Sequence, residues 1–270
     1  MKKMLKYSFA VLLGLCIASL SACSDDYKYE PAPSDTGGNA YLVAPKSDTV
    51  KFTEDQAQKL IVRVARANSA GTQTIALSSD NKLFNAPTDV KFAAGEKAKD
   101  VEVTFNMPAG KSEKVNIAVA SKDAFIYGLS EITYNIIRYK THNVTVALGM
   151  WNVQSKLIVR SYGNNYMLLA DKENGYNYDI KFTIDEKGVV TVPAQPAWEH
   201  SKYGKVWVCG NEKDDAKVTA DGVNGSGIAG TYDESTKMAT LKLIHAVPNV
   251  GGAFGTKTDY ILFSRRRKIL

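Results

Sequence analysis

The sequence predicts an all-β protein in which a β-sandwich is followed by a second antiparallel β domain, either a barrel or another sandwich. Apolar and polar residues alternate through segments such as 60–66 and 101–105, which is the pattern of a half-buried strand. Turn-forming clusters at 69–71, 94–96 and 108–110 separate such segments at the spacing of about 8 to 12 residues that is typical of sandwiches. No segment requires a helix of three turns.

Residues 1–22 have the form of a secretory signal peptide. Three lysines among the first six residues precede a short apolar segment at 9–20, and Ser21 and Ala22 then precede Cys23. That segment is too short to span a bilayer, which needs about 20 residues. Leu-Ser-Ala-Cys resembles the lipobox of bacterial lipoproteins, which implies cleavage before Cys23 and attachment of diacylglycerol to its thiol. The alternative is an ordinary secretory signal that a cysteine follows by chance.

Residues 23–38 are a predicted flexible tether. The segment 27–38 is rich in Pro, Ser, Asp and Gly, so it lacks the apolar side chains that a core needs. Ser24-Asp25-Asp26 resembles the acidic export signal of Bacteroidetes surface lipoproteins. The resemblance implies a protein that is lipid-anchored in the outer membrane and faces the cell exterior. The alternative is that the two aspartates only begin a solvated tether.

Charge and cysteine content argue against nucleic-acid binding and against a disulfide framework. The net charge of +6 falls once the signal is removed, which leaves 31 basic and 28 acidic residues, and four of the basic ones lie in the tail 265–270. A nearly neutral folded body predicts no basic face for nucleic acid. Cys209 has no intramolecular partner once Cys16 is removed and Cys23 is lipidated. Its strand-like surroundings predict a small buried hydrophobe.

The first predicted domain covers residues 39–141. Its segment 92–103 joins two alternating strands through an Ala-Gly-Glu turn. This pattern resembles Calx-β and related Ig-like modules of Bacteroidetes lipoproteins, which implies an Ig-like β-sandwich. The predicted strands are 40–43, 50–52, 60–65, 74–78, 90–92, 101–105, 115–120 and 132–137.

Calcium binding is not predicted for this domain. The calcium sites of Calx-β modules need clustered acidic loops, whereas Asp80, Asp89, Asp100 and Asp123 are scattered along the sequence. Neither a metal nor a cofactor is therefore expected.

The second predicted domain covers residues 142–264. Two hairpins, at 184–192 and 231–241, support an antiparallel arrangement. A sandwich followed by a β-rich module resembles the glycan-binding surface lipoproteins of Sus-type uptake systems, which implies a glycan ligand and a SusC/SusD-like partner complex. The predicted strands are 144–148, 156–160, 166–170, 179–184, 189–192, 205–209, 227–232, 238–245 and 259–263.

No catalytic signature is present, and the chain is predicted not to be an enzyme. Residues 225–230 match G-x-G-x-x-G, but a charged loop precedes them and a hairpin follows, where a dinucleotide site needs a strand and then a helix. His142, His200 and His245 lack the local spacing of metal ligands. A pair of glycosidase carboxylates stays open as an alternative, because its members need not be close in sequence.

Aromatic residues in polar, loop-like segments are the predicted binding site. Such rings can stack on the apolar face of a sugar while amides and carboxylates bind its hydroxyls. Because Trp198 lies close to Pro193 and Pro196, it is expected on an exposed loop. The predicted glycan-binding residues are Trp198, Tyr176, Tyr178, Tyr203, Asn177, Gln195 and Glu199.

The alternative for these aromatic residues is that they fill a β core. Trp207, within a strand pattern, is expected to be a core residue. At a separate site, Asp48-Thr49-Val50 resembles the Bacteroidetes O-glycosylation motif, which implies a sugar on Thr49. The alternative there is an ordinary junction between a turn and a strand.

Two functions follow from the sequence. The first is a lipid-anchored surface protein that binds glycan for a polysaccharide uptake system. The alternative is a structural or adhesive surface lipoprotein that contacts other proteins, with its aromatic residues buried.

Overall fold

The structure, a computed structural model, describes residues 38–173 and 175–264. Within these ranges it contains 22 β-strands and one short 3-10 helix, Pro248–Val250. The all-β prediction is confirmed. No helix in the described ranges is long and apolar enough to cross a membrane. The predicted signal peptide, the lipidation site Cys23, the tether as far as residue 37 and the tail 265–270 lie outside the described residues.

The first ten strands form a β-sandwich, and their bounds are β1 (Ala40–Leu42), β2 (Thr49–Phe52), β3 (Lys59–Arg66), β4 (Gln73–Ile75), β5 (Leu77–Ser79), β6 (Phe84–Asn85), β7 (Val90–Phe92), β8 (Ala98–Phe105), β9 (Lys111–Val119) and β10 (Glu131–Arg138). One sheet has the order β1-β3-β8-β6 and the other β2-β10-β9-β5. β4 and β7 form a separate two-stranded ribbon. Neighbouring strands are antiparallel except β2 and β10, which are parallel.

The sandwich core follows from the alternation in the sequence. On β8, Val101, Val103 and Phe105 are buried, and the residues between them are exposed. The Phe105 ring lies 5.0 Å from that of Phe52 and 5.1 Å from that of Phe84, measured between centroids. Burial of each such side chain stabilises the fold by about 1.5–3 kcal/mol.

The remaining twelve strands form the second β region, and their bounds are β11 (Lys140–Leu148), β12 (Val153–Tyr162), β13 (Asn165–Leu168), β14 (Ile180–Ile184), β15 (Val189–Thr191), β16 (Gln195–His200), β17 (Gly204–Gly210), β18 (Lys217–Thr219), β19 (Gly222–Asn224), β20 (Ile228–Asp233), β21 (Met238–Val247) and β22 (Gly252–Phe263). Eight of them follow one another in the order β21-β20-β15-β14-β13-β12-β11-β22, and β22 pairs again with β21. The second region is therefore a closed barrel rather than a second sandwich.

Two further strands extend the sheet at one end of the barrel. β20 pairs with β21 only at residues 238–239, which leaves the edge of β21 at residues 243–246 to pair with β17. β16 then pairs with β17. On the outer face of the sheet, Cys209 of β17 packs in one apolar cluster with Ile244 of β21 and Val223 of β19. Cys209 is therefore a small buried hydrophobe, as expected.

The sandwich and the barrel meet at Tyr139, the single residue between β10 and β11. Its ring is buried and lies 5.7 Å from that of Tyr162 on the barrel. The backbone N–H of Gly163 donates to the carbonyl of Gly110 across the junction, at 3.0 Å. The boundary expected at residue 141 falls inside β11. That residues 39–141 and 142–264 are separate domains stays a prediction.

Candidate functional site

The predicted glycan-binding residues lie close together around β16, but the protein itself uses most of their polar groups. Asn177 Oδ1 accepts a hydrogen bond from the backbone N–H of Glu199 at 2.8 Å, and the Tyr178 hydroxyl donates to Glu199 Oε1. The Gln195 amide binds both backbone groups of Lys181, at 2.9 and 2.7 Å. The two half-buried amides thus connect β16 to the segment 177–181.

Trp198 is part of the barrel core, and the expectation that it is exposed on a loop is wrong. It lies on β16 and is 7% exposed. The register shifts between Pro196 and Trp198, so Ala197 and Trp198 are both buried although they are adjacent. The indole Nε1–H donates to Nδ1 of His245 at 3.1 Å. The bulge therefore turns the Trp198 ring into the barrel next to Ala197, although strict alternation along a strand would place these two neighbours on opposite faces.

Trp207 occupies the opposite kind of position, and its expected place in the core is also wrong. On β17, Val206 and Val208 point into the barrel, so Trp207 points outward and is only half-buried. It packs against the small outer cluster that contains Cys209. Trp198 is therefore the more deeply buried of these two tryptophans, the reverse of the expected order.

Tyr176 is likewise inside the barrel, and the expectation of an exposed ring is wrong for it too. It is 2% exposed, and its hydroxyl donates to Asp259 Oδ2 at 2.5 Å. Asp259 also accepts the backbone N–H of Gly149 at 2.8 Å. The Trp151 ring lies 5.2 Å from that of Tyr176 and 5.5 Å from that of Trp198. These residues form a buried polar and aromatic cluster at the end of the barrel where β11 turns into β12.

Burial shifts the titration of this cluster. It raises the pKa of Asp259 to about 6, although the hydrogen bonds from Tyr176 and Gly149 oppose the shift. Burial, assisted by Lys257, lowers the pKa of His245 to about 4. Because Nδ1 of neutral His245 accepts the Trp198 bond, Nε2 carries the proton. That buried Nε2 has no hydrogen-bond partner within the described part of the chain.

Some of the predicted residues reach the surface, where Tyr203 lines a depression of about 400 Å³. Tyr178 and Tyr203 are half-buried, and Glu199 is exposed. The Tyr203 ring lies 4.9 Å from that of His200 and 6.0 Å from that of Phe254, measured between centroids. Tyr203 and Phe254 line an open depression rather than an enclosed site.

A larger cavity lies at the other end of the barrel. Its volume is about 630 Å³, within the range of about 300–1,000 Å³ that ligand pockets have. In an antiparallel barrel the starts of β11, β13 and β21 meet the ends of β14, β20 and β22 at one rim. We call this cavity the barrel mouth. Its lining residues are Lys140, Thr141, His142, Asn143, Tyr166, Ile184, Tyr232, Glu234, Lys237, Phe263 and Ser264.

Aromatic rings form one wall of the barrel mouth. The Phe263 ring lies 5.4 Å from His142, 6.0 Å from Tyr166 and 5.8 Å from Tyr232. The Tyr166 ring stacks on that of Phe182 at 5.3 Å, which fixes its orientation. Tyr166 and Tyr232 are half-buried. Both side chains pack against the barrel core and also line the cavity.

Hydrogen-bonding and charged groups surround these rings. His142 Nε2 and Ser161 Oγ are 2.8 Å apart. The hydroxyls of Tyr166 and Tyr232 are protonated at neutral pH, as in any ordinary tyrosine, and can donate, and burial raises the pKa of both further. Lys237 and Glu234 form an ion pair at the rim. The barrel mouth therefore combines an apolar wall with several donors and acceptors.

The sequence contained a partial signal for this site. Tyr166 and Tyr232 stand near the ends of predicted strands, and His142 stands just before one, so all three are near a rim in any antiparallel barrel. Which strand ends meet depends on strand order, which the sequence pattern does not contain. The mouth could therefore not be assembled from the sequence.

The predicted O-glycosylation site, Thr49, lies at the start of a strand of the sandwich. Thr49 begins β2, is half-buried, and its hydroxyl lies 3.3 Å from Asp48 Oδ1. Modification of Thr49 stays a prediction.

Three of the aspartates considered for calcium have other roles. Asp100 pairs with Arg63 at 2.9 Å, Asp80 accepts the backbone N–H of Asn116, and Asp123 accepts that of Ala76. In the described ranges, no group of three or more His, Cys, Asp or Glu side chains could hold a metal ion.

Comparison with known proteins gives no family. No protein-family model matches the chain, and no curated protein matches it. Among solved structures, the chain is similar to the calcium binding domain CBD12 of CALX1.1, with 8% identity, a TM-score of 0.31, and coverage of 57% of this chain and 80% of that one. It is also similar to CBD12 from CALX1.2, with 10% identity, a TM-score of 0.29, and coverage of 61% and 83%. Similarity at this level establishes neither a shared function nor shared ligands.

Proposed function

We propose that this protein is a surface lipoprotein of the Bacteroidetes type that binds a small carbohydrate in the mouth of its barrel. The observation that carries the proposal is the cavity of about 630 Å³ whose wall contains Tyr166, Tyr232 and Phe263. A sugar ring has an apolar face and a rim of hydroxyls. The mouth offers rings to the first and donors and acceptors to the second.

The proposed location is the outer face of the outer membrane, held there by lipid on Cys23. The support is the lipobox-like sequence and the acidic residues that follow it. A surface position gives the mouth access to external glycans, and a SusC/SusD-like uptake complex is the proposed partner.

A second candidate function, adhesion or assembly with another protein, has an observation of its own. Ile126, Tyr127 and Leu129, on the sandwich, are 68%, 75% and 49% exposed. Neighbouring exposed apolar side chains are typical of protein contact surfaces. This alternative also expects buried aromatic residues, and Trp198 and Tyr176 are buried.

The test of the proposed function compares two tyrosines of the barrel. The full chain is first probed against a glycan array, and its tightest glycan is then titrated by isothermal calorimetry. Tyr232→Ala should weaken binding about ten- to a hundredfold, by analogy with the loss of aromatic stacking on other ring ligands. Tyr260→Ala is the matched control, because Tyr260 is 42% exposed and lies outside the mouth.

Two results would contradict the proposal. The first is that no glycan on the array binds. The second is that Tyr260→Ala weakens binding as much as Tyr232→Ala does. Urea unfolding of both variants checks that each retains its fold, and binding of a purified protein at Ile126 and Tyr127 instead would favour the second candidate.

A further inference from the structure

A second cavity lies where the sandwich faces the barrel. We call it the junction cleft. Its volume is about 320 Å³, near the lower end of the range for ligand pockets. It is lined by Lys51, Tyr139, Arg160, Tyr162, Asn165, Tyr166, Met167, Lys181, Phe182, Thr183 and Pro193.

The charges that line the junction cleft have one sign. Lys51 comes from β2 of the sandwich, and Arg160 and Lys181 come from β12 and β14 of the barrel. None of the lining residues is acidic. Asp55 interacts electrostatically with Arg160, and Asp179 with Tyr139, but neither aspartate lines the cleft. The rest of the folded body is close to neutral, so three cations here are a local feature.

Arg160 has an unused donor at this cleft. Its Nε is buried and has no hydrogen-bond partner within residues 38–173 and 175–264. A buried donor without an acceptor destabilises the protein. The lining of the cleft also holds no acidic residue to balance its three cations. An anion bound to the Arg160 guanidinium would supply an acceptor as well as a balancing charge.

We propose that the junction cleft binds a carboxylate or sulfate group carried by a small sugar, as in a uronic acid or a sulfated monosaccharide. The guanidinium of Arg160 would bind the anion through hydrogen bonds, and Lys51 and Lys181 would add positive charge from the two sides. Tyr139, Tyr162 and Met167 give the cleft walls that suit the apolar part of such a molecule.

The chemistry of the lining favours this ligand over a free inorganic anion or a neutral sugar. An inorganic anion needs no aromatic walls, and a neutral sugar needs no cations. Tyr166 lines both the junction cleft and the barrel mouth, so the two cavities are neighbours. The inference shares its ligand class with the proposed function but uses a different cavity, so each can fail without the other.

The test follows the Nε–H resonance of Arg160 by proton–nitrogen NMR on the full chain. The probes are sodium glucuronate, sodium sulfate and glucose, at constant ionic strength. Glucuronate should cause a saturable shift, sulfate a weaker saturable one, and glucose none. Removing a charged hydrogen-bonding group weakens binding about ten- to a hundredfold, which is the loss in glucuronate affinity expected for Arg160→Gln by calorimetry.

Further variants test whether the anion binds in the cleft itself. Lys51→Gln should weaken glucuronate binding several-fold, because Lys51 is exposed and lies on the other side of the cleft. Arg63→Gln is the control, an exposed arginine of β3 outside the cleft. Tyr232→Ala should leave the Arg160 shift unchanged. The proposal is overturned by a shift that grows linearly without saturation, or by equal effects of Arg63→Gln and Arg160→Gln.

Discussion

The buried pair His245 and Asp259 should give the barrel opposing pH dependences that nearly cancel. The pKa of Asp259 is raised from 3.8 to about 6, so the folded state holds its proton more tightly and stability falls as pH rises from about 4 to 6. The pKa of His245 is lowered from 6.5 to about 4, so stability falls as pH decreases over nearly the same interval. Each shift is worth about 3 kcal/mol, at about 1.4 kcal/mol per pKa unit.

The variant Asp259→Asn removes one half of this balance. Asparagine keeps the volume and can still accept the backbone N–H of Gly149. With only His245 titrating at this end of the barrel, the variant should gain about 2 kcal/mol relative to the wild type as pH rises from 4 to 7, since unfolded Asp259 is already partly ionised at pH 4. Urea unfolding at pH 4, 5, 6 and 7 measures this difference, in which groups common to both proteins cancel.

The control is Asp233→Asn, at an exposed turn. Hydrogen bonds from Ser235 lower the pKa of Asp233, so the sign is opposite. That change lies below about pH 4, so the difference between the wild type and Asp233→Asn should stay nearly constant from pH 4 to 7. A difference between wild type and Asp259→Asn that stays constant from pH 4 to 7 would refute the assignment of a buried, pKa-raised carboxyl.

Two further predictions concern stability and location. Trp198→Ala should destabilise the protein by about 3–5 kcal/mol, the usual range for a buried aromatic residue, and should also leave the Nδ1 of His245 without its donor. Trp207→Ala, at a half-buried outward position, should cost clearly less in urea unfolding, and equal losses would contradict the positions of the two rings. Cys23→Ala should release the protein from membranes, because lipid on Cys23 is its proposed anchor. Retention of that variant after high-salt and carbonate washing would refute the anchor.

The sequence was most informative where local pattern decides structure. The alternation in 101–105 correctly predicted the buried and exposed faces of β8. The prediction failed at β16. Pro193 and Pro196 indicated a loop, but Pro196 lies within the strand. The bulge beside Trp198 then turned that ring inward, which a period of two residues cannot predict.

The candidate sites were harder to predict because they depend on contacts between distant strands. Tyr176 meets Asp259 across 83 residues of chain, so its burial could not be inferred from its polar neighbours. The barrel mouth requires the order of eight strands, and the junction cleft requires the position of Lys51 relative to Arg160. Residue types suggested aromatic recognition, but only the closed barrel placed Tyr166, Tyr232 and Phe263 around one cavity.

The most direct test of the central claim is to locate a bound sugar. A crystal structure of the full chain with the tightest glycan from the array shows where it lies. We predict a sugar ring in the barrel mouth, in van der Waals contact with the ring of Tyr166, Tyr232 or Phe263. A glycan bound at the surface near Tyr178 and Tyr203, with the mouth empty of sugar, would contradict it.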